Sequence, residues 1–389
     1  METLLAYNNV MIGRVKSDFH RYLYDEIDWN DHMIGIVGPR GVGKTTMVLQ
    51  HIKERLNRNT AMYVTAEDLY FSNHTLLSLV KELADSGFTH IVIDEIHKYP
   101  EWSRELKLVS DYYPDMHVVF TGSSILDIRK GASDLSRRAV MYAMQGLSFR
   151  EYLKLFHGIE IPIYSLEQIT SQQADTSMID NPLPLFRQYL RTGYYPFSRE
   201  RSFDSRLRSV VTQTLEVDIP FFSRMNASTG HKLKRLLAII SESAPFKPNF
   251  TKIATLLDVS RNVIADYILM LEEAGMAMQL RDSTGGLRGL GKVEKVYLDN
   301  PNIIYNLSPS TADIGNVRET FFLNQMRVRN DVVFSGIADF QIGDLTFEVG
   351  GRRKGQQQIE QANHGFIVKD DIEQPMLNII PLWHFGLNY

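Results

Sequence analysis

The chain contains no cysteine, which excludes disulfides, thiol catalysis and zinc fingers together and fits a reducing, cytoplasmic setting. It also lacks any run of the about 18 uninterrupted apolar residues that mark a bilayer span. The opening residues, Met1-Glu2-Thr3-Leu4-Leu5-Ala6-Tyr7, carry neither a basic segment nor a long apolar one, so neither a leader nor a membrane span is expected. A positive excess is missing too. The formal net charge is -4, so any surface meeting nucleic acid must be local. What is present is apolar material, 44% of 389 residues, enough for two or three domains with cores of their own.

One stretch organises the rest. Gly38-Pro39-Arg40-Gly41-Val42-Gly43-Lys44-Thr45 spells G-x-x-x-x-G-K-[ST] between an apolar strand, Met33 to Val37, and a helix running from Thr46 to Asn57. Glycines let successive backbone N–H groups turn inward around a β-phosphate, and the helix directs its positive end at the anion. Lys44 has the reach for the β- and γ-phosphates, and the Thr45 hydroxyl suits magnesium. Ahead of this loop, Val15 to Tyr24 reads as a short helix in a lead-in where Arg14 faces nucleotide or solvent.

Ala61 to Thr65 reads as a second strand and Thr75 to Ser86 as an amphipathic helix. Thr89 to Glu95 is a third strand with two acids at its carboxyl end, where open α/β sheets place ligands. Asp94 fits the magnesium shell and Glu95 a base that polarises the attacking water. His97 reads equally as a γ-phosphate sensor, a contact to a neighbouring protomer or an ordinary capping histidine. His117 to Ser124 is another buried strand tipped by Ser123 and Ser124, which suit either γ-phosphate contact or a plain helix N-cap. The alternation of strands and helices predicts an α/β fold with a mostly parallel sheet.

These stretches carry a resemblance. With Val92-Ile93-Asp94-Glu95-Ile96-His97-Lys98, Phe120-Thr121-Gly122-Ser123-Ser124, Asp134 to Arg138, Met144 to Tyr152 and Ile380 to Gly386, the chain resembles the AAA+-type P-loop ATPases of archaea and bacteria that carry a C-terminal DUF4143 region. The resemblance implies an additional-strand P-loop NTPase core over residues 1–150, with Ser123 or Ser124 as sensor. It also implies Arg137 or Arg138 as the sensing or trans-acting arginine, the alternative being a solvated turn. The phosphate cradle would comprise Gly38, Pro39, Arg40, Gly41, Val42, Gly43, Lys44, Thr45 and Thr46.

Residues 151–228 read as a helical lid, with a polar loop over Gln168 to Ser177. Residues 229–300 then show three helices and two strand-like segments, Met276 to Leu280 and Lys292 to Leu298, the outline of a winged helix with Ser260 as N-cap and Arg261 and Asn262 opening the third helix. Residues 232–295 hold ten Lys or Arg against seven Asp or Glu. That balance is only mildly basic, so double-stranded DNA and a protein partner both stay open as what this face meets.

Residues 301–389 resemble a restriction-endonuclease-like α/β domain, with a helix from Asn316, a hairpin of Gly336 to Ile342 and Leu345 to Gly351, and a helix beginning at Gln356. Glu319, Asp339 and Glu348 then stand where such nucleases bind metal. Glycine at position 350 replaces the usual lysine, and Arg352, Arg353 and Lys354 are poorly placed along a turn, so a degenerate nuclease-like domain used for binding or assembly is expected over an active one.

The whole reads as a cytoplasmic ATPase using ATP and Mg2+, with Lys44, Thr45, Asp94 and Glu95 at its centre. An ATP-gated DNA-binding protein or nuclease and a signalling ATPase with protein partners are the alternatives, and an arginine acting in trans would make it a homo-oligomer.

Overall fold

Apolar runs closed by polar turns become the strands of the first sheet. Met33–Val37 (β1) is buried along its whole length. So are Ala61–Thr65 (β2), His90–Asp94 (β3) and His117–Gly122 (β4) except at one end each. Strands covered on both faces need helices on both sides. The computed structural model describes residues 1–122, 135, 137–220, 227–242, 249–283 and 291–389, which divide into two compact units, Met1–Gly146 and Leu147–Tyr389.

In the first unit, α1 (Glu2–Arg14), α2 (Tyr22–Glu26), α3 (Lys44–Arg55), α4 (Leu76–Asp85) and α5 (Trp102–Tyr112) accompany the strands, and β5 (Val140–Ala143) completes the sheet. The order is β2-β3-β4-β1-β5 and every pairing is parallel. Strand β4 therefore lies between the strand that feeds the phosphate loop and the strand that carries the two acids. This is the α/β architecture of a P-loop NTPase. Leu79, Val80 and Leu83 of α4 pack with Leu106 and Val109 of α5 and Ile91, Ile93 and Phe120 of the sheet in one buried cluster.

The expected helix from Val15 to Tyr24 forms only at its end, where α2 begins at Tyr22. Helix α1 ends at Arg14, and Val15 is extended. The carbonyls of Lys16 and Phe19 instead accept from the Gln50 side chain of α3, each at 2.8 Å, so the segment's backbone is satisfied by tertiary contacts rather than by helical ones.

In the second unit, α6 (Phe149–His157) and α7 (Leu166–Thr170) each open on a capping box, Ser148 with Glu151 and Ser165 with Gln168. The second box puts a helical turn where a polar loop was expected. Helices α8 (Pro182–Gln188) and α9 (Phe203–Gln213) follow, then α10 (Ala227–Glu242), α11 (Phe250–Leu257), α12 (Arg261–Glu273) and an antiparallel pair, β6 (Ala277–Arg281) with β7 (Val293–Leu298). Ser260 occupies the N-cap of α12 but makes no side-chain capping bond.

Helices α13 (Pro301–Leu307) and α14 (Ile314–Met326) lead into a last sheet of order β12-β11-β10-β9-β8. Its members are β8 (Val333–Phe334), β9 (Phe340–Ile342), β10 (Leu345–Gly350), β11 (Gly365–Lys369) and β12 (Ile379–Pro381), antiparallel from β8 to β10 and parallel from β10 to β12. The helix expected from Gln356 is absent. Ile359 N–H bonds the Gln356 carbonyl and Ala362 N–H the Ile359 carbonyl, so the stretch closes consecutive turns instead.

Segments read from sequence as lid and terminal domain share this second unit. The Ser148 hydroxyl donates to the Tyr389 carbonyl at 2.7 Å, and the Tyr164 N–H to that of Leu387 at 3.0 Å. Phe149, Phe186, Tyr189, Phe321 and Trp383 interlock edge to face between them.

Candidate functional site

The phosphate loop leaves β1 and enters α3 through Gly43, which holds φ at 103° in the left-handed region that favours glycine. Helix α3 therefore starts at Lys44, two residues earlier than its sequence pattern indicates, with its first N–H groups open to the loop. The Lys44 side chain is buried, and its ammonium lies back over the loop, donating to the carbonyls of Gly38 at 2.8 Å and Pro39 at 2.9 Å. Val42 is buried, Arg40 half-buried, and Gly41 and Thr46 exposed.

Asp94, at the carboxyl end of β3, is 5% exposed and collects hydroxyl groups from three elements. Thr45 of α3 donates to Oδ2 at 2.8 Å, Tyr63 of β2 donates to the same oxygen at 2.9 Å, and Thr121 of β4 donates to Oδ1. Burial, then the charge of Asp94, pushes the Tyr63 phenol well above the usual tyrosine range, so it stays protonated as a donor. The Thr121 hydroxyl also accepts from the Glu95 N–H at 3.2 Å, so one side chain fixes both acids. Glu95 itself sits at φ 51°, a left-handed position unusual for a residue with a Cβ, and its Oε2 lies 3.2 Å from Nε2 of the fully buried His97. His97 is thus buried beside the candidate base rather than at the surface, although that Glu95 oxygen accepts no hydrogen bond from the described residues.

Arg21 closes the loop from behind. It is 5% exposed, and its guanidinium donates to the Val42 carbonyl and, at 2.8 Å each, to those of Gln145 and Gly146. The sequence offered no signal for Arg21, Tyr63 or Thr121, because their roles arise from strand order and tertiary approach.

Of the other sequence candidates, Ser123 and Ser124 lie outside the described residues. Arg137 is exposed, and Arg138 donates twice to Asp111 Oδ1 of α5, at 3.2 and 2.8 Å. Neither arginine is seen among the partners of Asp94 or Glu95. Arg261 and Asn262 are both exposed at the start of α12.

The C-terminal acids form a second buried cluster. Lys295 of β7 donates to Glu319 Oε2 of α14 at 3.1 Å and to Asp339 Oδ1 at 3.0 Å, and the Tyr297 hydroxyl donates to Glu319 Oε2 at 2.6 Å. Asp339 Oδ2 also accepts from the Val349 N–H at 3.0 Å. Glu348 pairs with Lys354. That corrects the expectation that Lys354 is badly oriented. The turn after β10 carries its stem back past Gly350, where an added Cβ would stand only 2.7 Å from it. Among the described residues no three acids or histidines converge to hold a metal ion, so the expected metal trio is spanned by lysines. Burial opposes the Lys295 ammonium, but the charges of Glu319 and Asp339 outweigh it and raise its pKa.

Residues 30–153 match the AAA domain family, and residues 183–313 match a domain of unknown function, DUF8612. The second match replaces the DUF4143 region expected from sequence. A curated relative, the uncharacterized protein MJ1637 of Methanocaldococcus jannaschii, is 22% identical over 308 residues, 71% of this chain. The chain spans 64% of that relative's length. Among solved structures, the S. cerevisiae Hsp104–ADP complex is similar at a TM-score of 0.34 and 16% identity, over 69% of this chain and 42% of that one. AMPPCP-bound DnaA from Aquifex aeolicus is similar at 0.26 and 13%, over 69% and 87%. No described helix is long and apolar enough to cross a membrane. Residues 30–153 thus resemble an AAA-type P-loop domain, and that likeness supports ATP binding and hydrolysis in general.

Proposed function

We propose that the protein is a magnesium-dependent ATPase whose turnover changes the posture of contact modules in its second unit. The observation that carries this reading is the Thr45 hydroxyl on the Asp94 carboxylate at 2.8 Å, beneath a loop whose lysine is already folded over it. A buried carboxylate beside a threonine hydroxyl is a hard-oxygen donor pair that fits magnesium. When bound, that ion would neutralise charge on the β- and γ-phosphates.

The chain's own residues supply the rest. Lys44 exchanges the Gly38 and Pro39 carbonyls for phosphate oxygens, and the N-terminus of α3 receives the β-phosphate. Glu95 accepts the proton of the attacking water with the buried His97 ring packed beside its carboxylate. Thr121 keeps the two acids in fixed relation.

In the second unit we read α10–α12 with the β6–β7 pair as a winged helix, because three helices followed by an antiparallel pair is that element order. The sheet β8–β12 with α14 reads as a nuclease-like domain put to binding or assembly. Exposure of Arg261 and Asn262 leaves the start of α12 free to meet DNA or a protein. Assembly into a homo-oligomer with an arginine acting in trans belongs to the same proposal.

The test is ATP hydrolysis with magnesium, with and without double-stranded DNA. Glu95→Gln should lower turnover by about 10²–10⁴-fold, the range for a lost general base, while ATP binding persists. Unchanged turnover in that variant would refute the assignment of Glu95. DNA-stimulated turnover would favour a DNA-coupled role, and indifference to DNA a protein partner.

A further inference from the structure

We infer that the cleft at the amino-terminal edge of the first sheet, walled by Trp29, His51, His90 and His117, binds a small organic ammonium ion of the diamine class. It encloses about 560 Å³, within the range of small-molecule sites. Every residue lining it belongs to the first unit. His90 and His117 open β3 and β4, whereas Asp94 and Gly122 close those strands. Four steps of about 3.3 Å along β3 put His90 about 13 Å from Asp94. The cleft is therefore separate from the phosphate loop, and the inference does not depend on ATP turnover.

The walls are rings packed on one another. Trp29 stacks on His51 of α3 at 3.8 Å and 10°, and His90 stacks on His117 at 4.8 Å and 15°. The imidazoles are short of partners. His51 is 5% exposed, yet its Nδ1 has no hydrogen-bond partner among the described residues, and neither has the buried Nδ1 of His117. A buried polar atom left so is costly, and two of them belong to the lining of one cleft. Burial lowers the pKa of His51 to about 4 and lowers that of His90 as well, so both rings are uncharged at neutral pH. An uncharged imidazole carries one bare nitrogen lone pair. Nδ1 of His51, with no acceptor for a proton of its own, is where that lone pair lies, and it calls for a ligand that donates N–H.

Charge selects a cation. Asp25 and Asp28 stand at the cleft against one guanidinium, that of Arg55. Asp28 uses Oδ1 to accept from Asn30 and keeps its charge. Helix α3 ends at Arg55, so its terminal carbonyls bring the negative end of the helix dipole to the same side. An anion would meet carboxylates and bare lone pairs together. An ammonium ion satisfies both, and indole is the best ring for a cation–π contact. Two carboxylates and two bare nitrogens suit two ammonium groups on one short chain.

The test uses the full, nucleotide-free chain at low ionic strength, with putrescine as probe and tryptophan emission as readout. Trp29 dominates the response, because the other two tryptophans, Trp102 and Trp383, are 3% and 2% exposed. Putrescine should change the emission in a single saturable step. Asp25→Asn with Asp28→Asn should weaken binding about tenfold or more, the scale of a lost hydrogen bond to a charged group. His51→Phe, which keeps a ring against Trp29 but offers no lone pair, should weaken it several-fold, and His117→Leu serves if that variant does not fold. Tetramethylammonium has charge without N–H and butane-1,4-diol has length without charge, so each should bind about tenfold or more weakly than putrescine.

A native chain with no saturable response to putrescine would overturn the site. So would equal binding by the Asp25→Asn, Asp28→Asn protein, which would mark general attraction to an acidic surface. Tetramethylammonium bound as tightly as putrescine, or native affinity in both His51→Phe and His117→Leu, would overturn the role of the bare nitrogens. Succinate bound in preference to putrescine would overturn the sign of the ligand's charge.

Discussion

Replacing Arg21 by methionine keeps much of the apolar volume and removes one buried guanidinium that serves three carbonyls, those of Val42, Gln145 and Gly146. A hydrogen bond from a charged donor contributes about 1.5–3 kcal/mol. The three bonds share a single charge whose desolvation costs several kcal/mol, so the net loss comes to about 3 kcal/mol. For a unit of 146 residues, at about 2–4 °C per kcal/mol, the melting temperature should fall by about 6–12 °C.

Val42 lies inside the phosphate loop, so its released carbonyl also loosens the cradle. Nucleotide affinity should drop by about tenfold, or about 1.4 kcal/mol. Differential scanning calorimetry and binding of a fluorescent ATP analogue read the two effects. Arg21→Lys, which keeps the charge but not the fork of donors, should recover only part of each. A melting temperature within about 2 °C of the native value for Arg21→Met, with unchanged nucleotide binding, would refute the view that this guanidinium ties the loop down.

Acidification should weaken the first unit. Burial, then the charge of His90, lowers His51 to about 4, and burial, then His117, lowers His90. The unfolded chain, with histidine near 6.5, takes up more protons as pH falls, so stability present above 6.5 is lost progressively towards 4. Urea midpoints at several pH values should show that slope, and His51→Phe should flatten it. In the second unit, Ser148→Ala removes both the cap on the Glu151 N–H and the bond to the Tyr389 carbonyl. It should cost about 1–2 kcal/mol, measured as a shift in the urea midpoint, and no change would show that neither bond matters.

The phosphate loop was legible because its residues are consecutive and its chemistry is local. Asp94 and Glu95 were legible because a strand ending in acids is itself a sequence pattern. Their partners were not. Tyr63 and Thr121 reach Asp94 because β2 and β4 flank β3, and adjacency among parallel strands is not written in chain order. Helix α7 had a local signal, Ser165 three residues before Gln168, that the polar composition of the stretch outweighed. Lys295 escaped because the lysine was sought after Glu348 on the same strand, whereas the ammonium arrives from β7. The stretch from Val15 failed for the opposite reason: its apolar spacing suits a helix, but Gln50 offers its carbonyls better partners.

The three hydroxyls on Asp94 have one more consequence. Those of Thr45 and Tyr63 can reverse direction by a single torsion, turning from donor to acceptor while the oxygen stays in place, whereas Thr121 already accepts from the Glu95 N–H. Thr45 can swing its hydrogen off the carboxylate and offer a lone pair to an arriving cation, exposing a lone pair on Asp94 by the same rotation. The site is then a set of rotors around a fixed charge. Its dipoles can reorient with no movement of backbone, so the sheet need not distort for the pocket to change what it accepts.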